Sequence, residues 1–191
     1  MQNYIIKEYR EPIAQWLEHC PDVAEVRGSN PLRLAKYLQS IQKMLITTNN
    51  LEQAKKEIKK TISENKELII VKAQNPEFNR KILEYGNFNI LLNPHFSQDK
   101  DKLKYLDSGI NHVSAKIATK NKIAIGMDLN EIKKLEKKEK AQILAKIKQN
   151  IKICRKAKTR IKLLNYKDRR NAFSLLISLG ASTQQAKDAI S

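Results

Sequence analysis

From Met44 onward, short apolar runs alternate with segments of helical periodicity, and this alternation constrains the fold more than any other feature of the sequence. Leu68–Val71 is a continuous apolar run of the kind found in buried parallel strands. Similar runs recur along the chain and alternate with segments that have apolar residues at helical spacing. The predicted strands are residues 45–47, 68–71, 89–92, 123–127 and 161–164.

Capping residues place the helices between these strands. Asn49 or Asn50 can cap the first helix, and Asn75 can cap the second, with Pro76 at the first helical position. Ser182 or Thr183 can cap the last one. The predicted helices are residues 51–64, 76–85, 111–120, 131–157, 168–179 and 183–190. Strands that alternate with helices predict an α/β fold of parallel βα units with right-handed crossovers. Five strands are fewer than the eight of a complete (β/α)8 barrel.

Ligands of a parallel sheet bind at the carboxyl ends of its strands. Asp128 at such an end is either a catalytic carboxylate or a helix N-cap, and we favour the cap. His112 is either a general base or a residue in the first turn of a helix, and we favour the helical position. We therefore predict no catalytic residue in this chain. The polar residues at the predicted strand ends are Lys72, Gln74, Asn75, Asn93, Asp128, Asn165 and Lys167.

Several classes of site and location are not indicated. Five glycines are too few and too scattered for a phosphate-binding loop, and Cys20 and Cys154 cannot form a zinc site on their own. The three histidines have no metal-ligand spacing, so we expect no metal and no cofactor bound by the protein. No apolar run reaches the roughly 18 residues of a membrane span, and no signal peptide is evident. We expect a soluble cytoplasmic protein without a membrane partner.

Positive charge is concentrated in the same part of the chain as the α/β pattern. The formal net charge is +17, and residues 44–191 contain 31 basic and 15 acidic side chains. Such an excess favours a polyanionic partner through phosphate contacts and counterion release. Lys and Glu enrichment of the thermophile type is the alternative, but it raises both signs together. Nucleic acid is therefore the better prediction.

The densest basic segment runs from Lys152 to Arg170 and contains nine basic side chains and one acid, Asp168. It is either a surface that contacts phosphates or a solvated face favoured by a helix C-terminus. We favour contact with RNA or DNA. Because Tyr166 is its only aromatic residue, stacking on single-stranded bases is not indicated. The predicted RNA-binding residues are Lys72, Lys116, Lys120, Lys122, Arg155, Lys156, Lys158, Arg160, Lys162, Lys167, Arg169 and Arg170.

Residues 1–43 resemble a translated tRNA gene. Ala14–Glu18 and Gly28–Pro31 match the translation of a D arm and a T loop, and Glu11–Leu34 spans 24 codons, the length of a tRNA body. Codons for His19–Pro21 and Val23–Glu25 can be chosen that close an anticodon stem. We expect residues 1–43 to be a non-native leader, synthesis to start at Met44, and residues 44–191 to form a single α/β domain. A genuine N-terminal extension is the alternative.

One block of the sequence resembles a known family. Leu106–Ala118 followed by Ile123–Ile125 resembles protein component 3 of archaeal ribonuclease P, in which a Gly-(Asp/Asn)-His helix precedes such a strand. The order of the C-terminal segments is also similar: a long basic helix, the strand at Ile161–Asn165, a helix, and the turn Gly180–Thr183. The resemblance covers about residues 44–190.

The resemblance implies a TIM-barrel-like fold related to the polymerase-and-histidinol-phosphatase barrel. The first strand–helix units are abbreviated here, so the barrel is expected to be incomplete. The metal-binding histidines of the hydrolase relatives are missing, which argues against independent phosphoesterase activity. The resemblance also implies that the block formed by Asp107, Ser108, Gly109, Asn111 and His112 is structural or faces a partner protein.

The function implied by the resemblance is that of a protein subunit of ribonuclease P, which removes the 5′ leader from precursor tRNA. In that particle the RNA subunit performs the chemistry with magnesium. The expected partners are ribonuclease P RNA and ribonuclease P protein component 2, with precursor tRNA as substrate of the complex. A general RNA-binding module and a vestigial barrel phosphoesterase are the alternatives.

Overall fold

The computed structural model describes residues 43–64, 68–96 and 106–190. The predicted leader, residues 1–43, lies outside the described residues apart from Lys43, and the start of synthesis at Met44 stays a prediction. Within the described part, five strands occur where short apolar runs were predicted, displaced by one or two residues at their ends. They are β1 (Lys43–Ile46), β2 (Leu68–Lys72), β3 (Ile90–Leu92), β4 (Ala124–Asp128) and β5 (Ile161–Leu164).

Of the seven α-helices in the described residues, six are preceded by a residue whose side chain accepts a hydrogen bond from the first turn. Asn50, rather than Asn49, caps the first helix, and Ser182, rather than Thr183, caps the last. The helices are α1 (Leu51–Ser63), α2 (Pro76–Tyr85), α3 (His112–Lys120), α4 (Leu129–Lys133), α5 (Lys137–Ala157), α6 (Arg169–Ser178) and α7 (Thr183–Ala189), with a 3-10 turn at Pro94–Phe96.

The prediction of one long helix over residues 131–157 is wrong, because the structure has two helices there. The Asp128 side chain accepts a hydrogen bond from Asn130 N, so α4 starts directly after β4. That helix ends at Lys133, and Glu136 is extended at the start of α5 without a side-chain cap. Between buried Ile132 and half-buried Ile143 the segment is dominated by charged residues, so little apolar burial keeps it in one continuous helix.

All five strands are parallel and lie in the sheet in the order in which they occur along the chain. Within the described residues β1 pairs only with β2 and β5 only with β4, so the sheet is open. The predictions of a parallel α/β fold and of an incomplete TIM-barrel-like arrangement are therefore confirmed. We call the side where the strands begin the amino edge and the side where they end the carboxyl edge.

The two faces of the sheet are buried in different ways. One face packs against the helices and forms the main core, which includes Val71, Leu91 and Ile125. The other face carries a smaller cluster formed by Ile70, Ile90, Leu92 and Ala124. Gly126 belongs to this second face, and a Cβ atom there would lie 2.6 Å from Ile90 Cγ2. The close packing of β3 and β4 therefore requires glycine at position 126.

Candidate nucleic-acid interface

Two helix-to-strand turns at the amino edge bring predicted RNA-binding residues together. One joins α3 to β4 and the other joins α5 to β5. We define the amino-edge basic cluster as Lys120, Lys122, Lys156, Lys158 and Arg160, all of which are exposed. The Arg160 guanidinium donates from Nη2 to the backbone oxygen of Lys122 over 2.6 Å, so the two turns are directly linked.

Threonine hydroxyls beneath this cluster fix the relative position of the turns. The hydroxyl oxygens of Thr119 and Thr159 are 2.8 Å apart. Thr119 Oγ1 also lies 3.0 Å from the carbonyl oxygens of Ala115 and Ala157, and Thr159 Oγ1 lies 2.9 Å from that of Ala115. Thr159 is buried, so its bond to Ala115 O is sheltered from water, whereas Thr119 is exposed. These hydrogen bonds therefore hold the two turns of the amino-edge basic cluster in a fixed relative position.

The last three basic residues of the predicted basic segment lie at the opposite edge of the sheet. Lys167, Arg169 and Arg170 follow β5, are exposed, and are close in sequence to Asp168, whose carboxylate caps α6. The four residues of β5 separate them from Arg160 by about 13 Å at the usual rise of a strand. The basic residues from Lys152 to Arg170, which the sequence predicted to form one surface, therefore contribute to two surfaces at opposite edges of the sheet.

Three further predicted residues make contacts within the protein. Lys72 Nζ lies 3.1 Å from Glu131 Oε1. Arg155 donates from Nη1 to Gly180 O over 3.2 Å. Lys162 donates to Asp188 O over 3.1 Å, and its pKa is lowered, mainly because the side chain is half-buried and also because of nearby Arg160. Lys116 is exposed on α3, one turn before Lys120. RNA contact by each of these residues stays a prediction.

The polar residues at the carboxyl edge form a hydrogen-bond network. Asn93 donates to Glu131 Oε2 over 2.9 Å and accepts from Asp128 N over 2.8 Å. Asn165 donates to Asp128 Oδ2 over 2.8 Å. Asn93 and Asp128 are buried, and the Asp128 side chain caps α4 as the sequence favoured. The carboxylates at this edge are thus held by donors of the protein itself, and Glu131 is a member that the sequence did not single out.

The family-like block is a turn that packs against α5 and the 3-10 turn. Ser108 is buried, and its carbonyl accepts from Asn150 Nδ2 over 2.9 Å. Gly109 has a φ of 75°, and a Cβ atom there would lie 1.9 Å from Pro94 O, so no other residue fits without movement. Asp107 Oδ1 accepts from Gly109 N over 2.9 Å.

The end of this block has a different environment. Asn111 caps α3 by accepting from Ser114 N, whereas the His112 side chain is exposed and follows it directly. The neighbouring Val113 is an exposed apolar side chain. The block thus has a structural part at Ser108 and Gly109 and an exposed part at His112. Contact between this block and a partner protein stays a prediction.

A buried histidine lies beside this turn and was not singled out from the sequence. His95 is fully buried in the 3-10 turn, and neither ring nitrogen has a hydrogen-bond partner among the residues that the structure describes. Burial, and secondarily the positive charge of Lys146, lower its pKa to about 3. The ring is therefore neutral at physiological pH. In the described part of the chain, no three His, Cys, Asp or Glu residues are grouped so as to hold a metal ion.

Among the helices that the structure describes, none is both long enough and apolar enough to cross a membrane.

No protein-family model matches the sequence. Curated proteins named ribonuclease P protein component 3 are similar to it. The one from Methanococcus maripaludis (strain C6) is 28% identical over 115 residues, which are 60% of this chain and 46% of that protein. The one from Methanococcus vannielii is 26% identical over 114 residues, with the same two shares. The chain spans about half the length of these relatives.

Solved structures show the same fold. A chain in the cryo-EM structure of archaeal ribonuclease P with mature tRNA superposes with a TM-score of 0.65 at 21% identity, over 83% of this chain and 71% of that one. The crystal structure of an uncharacterized protein superposes with a TM-score of 0.54 at 9% identity, over 83% and 44%. The resemblance to ribonuclease P protein component 3 is therefore confirmed in sequence, and this chain has the fold of a protein in archaeal ribonuclease P.

Proposed function

We propose that this chain is protein component 3 of a ribonuclease P, the ribonucleoprotein that removes the 5′ leader from precursor tRNA. The observation that carries the proposal is its similarity to curated proteins of that name over 60% of the chain. The shared fold supports it independently of the sequence identity. The chain spans about half the length of those relatives, so its participation in the activity of the whole particle is part of what we propose.

The proposed role of the protein is to bind and support the RNA, while the RNA hydrolyses the phosphodiester bond with magnesium. The exposed cations of the amino-edge basic cluster fit this role, because they reduce the repulsion between phosphates that a compact RNA brings together. The carboxylates of Asp128 and Glu131 are engaged by donors of the protein, which favours support of RNA over chemistry at the carboxyl edge.

The proposed partners are ribonuclease P RNA and protein component 2, in a cytoplasmic particle whose substrate is precursor tRNA. The candidate contact for component 2 is the surface around His112, where exposed Val113 offers an apolar side chain beside polar ones. Apolar residues rimmed by polar ones are typical of protein–protein contacts.

Reconstitution tests the proposal. Ribonuclease P RNA and the other protein components are assembled with and without this chain, and removal of the 5′ leader is measured over a range of magnesium concentrations. We expect this chain to lower the magnesium concentration needed for half-maximal cleavage. Cleavage that does not depend on the chain at any magnesium concentration refutes the proposal.

Recovery of RNA from cells separates ribonuclease P from general RNA binding. The native protein is pulled down and the RNA that accompanies it is sequenced. One dominant RNA together with component 2 supports the proposal, whereas a mixture of ribosomal RNAs supports a general RNA-binding module. The double variant Arg155→Glu and Arg169→Glu reverses one charge near each edge of the sheet, and we expect weaker RNA binding from a folded protein.

A further inference from the structure

In the part of the chain that the structure describes, three helices end in the same backbone motif, and one of them has the usual glycine at its left-handed position. At the end of α6, Ala181 N donates to Leu176 O and Gly180 N donates to Ile177 O, both over 2.9 Å. This is the Schellman motif, in which the residue after the cap takes a left-handed conformation. Gly180 occupies that position with a φ of 91°. Glycine is the usual residue there because it has no Cβ atom to oppose the conformation.

The same motif ends α3 and α5, but lysine takes the place of glycine in both. Lys122 and Lys158 each have a φ of 58°, in the left-handed region where a side chain clashes with the backbone. At the end of α3, Ile123 N donates to Ala118 O over 2.8 Å and Lys122 N donates to Thr119 O over 3.1 Å. At the end of α5, Thr159 N donates to Cys154 O over 2.9 Å and Lys158 N donates to Arg155 O over 3.3 Å.

Stabilisation of the helix ends does not account for these lysines. A cation near a helix C-terminus is favourable, but Lys120 and Lys156 already supply it from the last turn of each helix. Lys122 and Lys158 are exposed, and no ion pair of either is found among the described residues. Strained residues that packing does not explain are typical of functional positions.

The charge around the two turns is of one sign. No acidic residue occurs from His112 to Met127 or from Lys140 to Lys167, the two segments that contain the amino-edge basic cluster. Glu84 at the end of the neighbouring helix α2 lies 2.9 Å from Arg80, so its charge is compensated locally. The amino-edge basic cluster therefore presents five cations without an acid from its own segments.

We propose that Lys122 and Lys158 form the centre of a binding surface for the phosphate backbone of RNA, at the amino edge of the sheet. We expect this surface to contact the phosphate backbone of the RNA rather than its bases, because the two turns contain no aromatic side chain on which a base could stack. The turns are fixed side by side by the bonds of Thr119, Thr159 and Arg160, so the cations have a set spacing. This inference deepens the proposed function and rests on it for the identity of the RNA.

The double variant Lys122→Asn and Lys158→Asn tests the surface. Asparagine adopts the left-handed conformation more readily than lysine and carries no charge. We measure binding to ribonuclease P RNA as a function of salt, and the urea midpoint of the same protein. We expect affinity to fall about 10-fold or more at 0.15 M salt and the slope of log affinity against log salt to fall by about 1 to 2.

The urea midpoint distinguishes a binding role from a structural one. If the lysines are kept for RNA, their replacement relieves strain, and the midpoint stays the same or rises. Unchanged affinity overturns the proposal. A fall in the midpoint that accompanies the loss of affinity also overturns it, because it assigns the lysines to the stability of the turns.

A matched control removes the same net charge elsewhere. Lys59 and Lys138 are exposed helical residues outside the amino-edge basic cluster, and the variant Lys59→Gln and Lys138→Gln should bind RNA within about twofold of the unchanged protein. An equal loss in the control overturns the site in favour of net charge alone. If the unchanged protein binds unrelated RNAs as tightly and the asparagine variant weakens all of them, the surface stands and the ribonuclease P assignment fails.

Discussion

The buried ring of His95 makes the stability of this protein depend on pH in a defined direction. The unfolded chain binds a proton on this histidine near pH 6.5, whereas the folded protein binds it only near pH 3, because burial and Lys146 disfavour the charged ring. Between these two values the unfolded state binds more protons than the folded state. Lowering the pH through this window therefore favours unfolding, and the stability is fully present above about pH 6.5.

The size of the effect follows from the distance between the two pKa values. One pH unit inside the window corresponds to about 1.4 kcal/mol for a single group. From pH 7 to pH 5 the histidine crosses about 1.5 units of the window, so we expect a loss of about 2 kcal/mol in the free energy of unfolding. Hydrogen bonds from Lys55 and Lys81 lower the pKa values of the exposed carboxylates Glu52 and Glu77, so these groups titrate mainly below pH 5 and change this loss little.

Urea denaturation of the unchanged protein and of His95→Leu at pH 7 and pH 5 measures this loss. The variant removes two buried nitrogens that have no partner among the described residues, so we expect it to be as stable as the unchanged protein at pH 7, or more stable. It should also lose about 2 kcal/mol less between the two pH values. The exposed histidine provides the control, and His112→Gln should keep the full dependence. An equal loss in His95→Leu and the unchanged protein refutes the reasoning, whatever the packing of leucine does at either pH.

Three further predictions concern the sheet, its carboxyl edge and the core. Gly126→Val should destabilise the fold by about 1–3 kcal/mol, measured by urea denaturation, because the new side chain overlaps Ile90. Asp128→Ala removes the cap of α4 and the acceptor of Asn165, and a loss of about 1–3 kcal/mol is expected in the same assay; no loss would show that the network is not formed. Burial raises the pKa of the Cys154 thiol to about 12, so alkylation by iodoacetamide at pH 8, followed at this residue by mass spectrometry, should be slow in the folded protein and fast in urea.

The sequence predicted the α/β class, all five strands and most of the caps because these depend on local signals. An apolar run such as Leu68–Val71 and a capping residue such as Asn75 act within a few residues of themselves. The break between α4 and α5 was missed because it depends on how little the charged segment contributes to the core. The separation of Lys167 from Arg160 was missed because a strand places its two neighbours on opposite edges of the sheet.

Contacts between distant residues were the hardest part of the site to predict. The bond between Thr119 and Thr159 joins residues 40 positions apart, and nothing near either threonine signals it. A signal was available for the basic cluster: the pattern Lys-x-Lys occurs at Lys120–Lys122 and again at Lys156–Lys158, each time just before a strand. Buried His95 had no such signal, because its isolation depends on packing by the rest of the fold.

The order of the strands in the sheet also has a consequence for how the chain folds. Each strand pairs with the next one along the chain, and the paired positions are 20 to 36 residues apart, as in Ile70 with Ile90 and Ile125 with Ile161. No strand therefore has to wait for a partner from a distant part of the chain, although each parallel pairing closes a loop of 20 residues or more and is slow for that reason. Each βα unit that leaves the ribosome finds its partner strand already synthesised, so the sheet can grow from β1 toward β5 while synthesis continues.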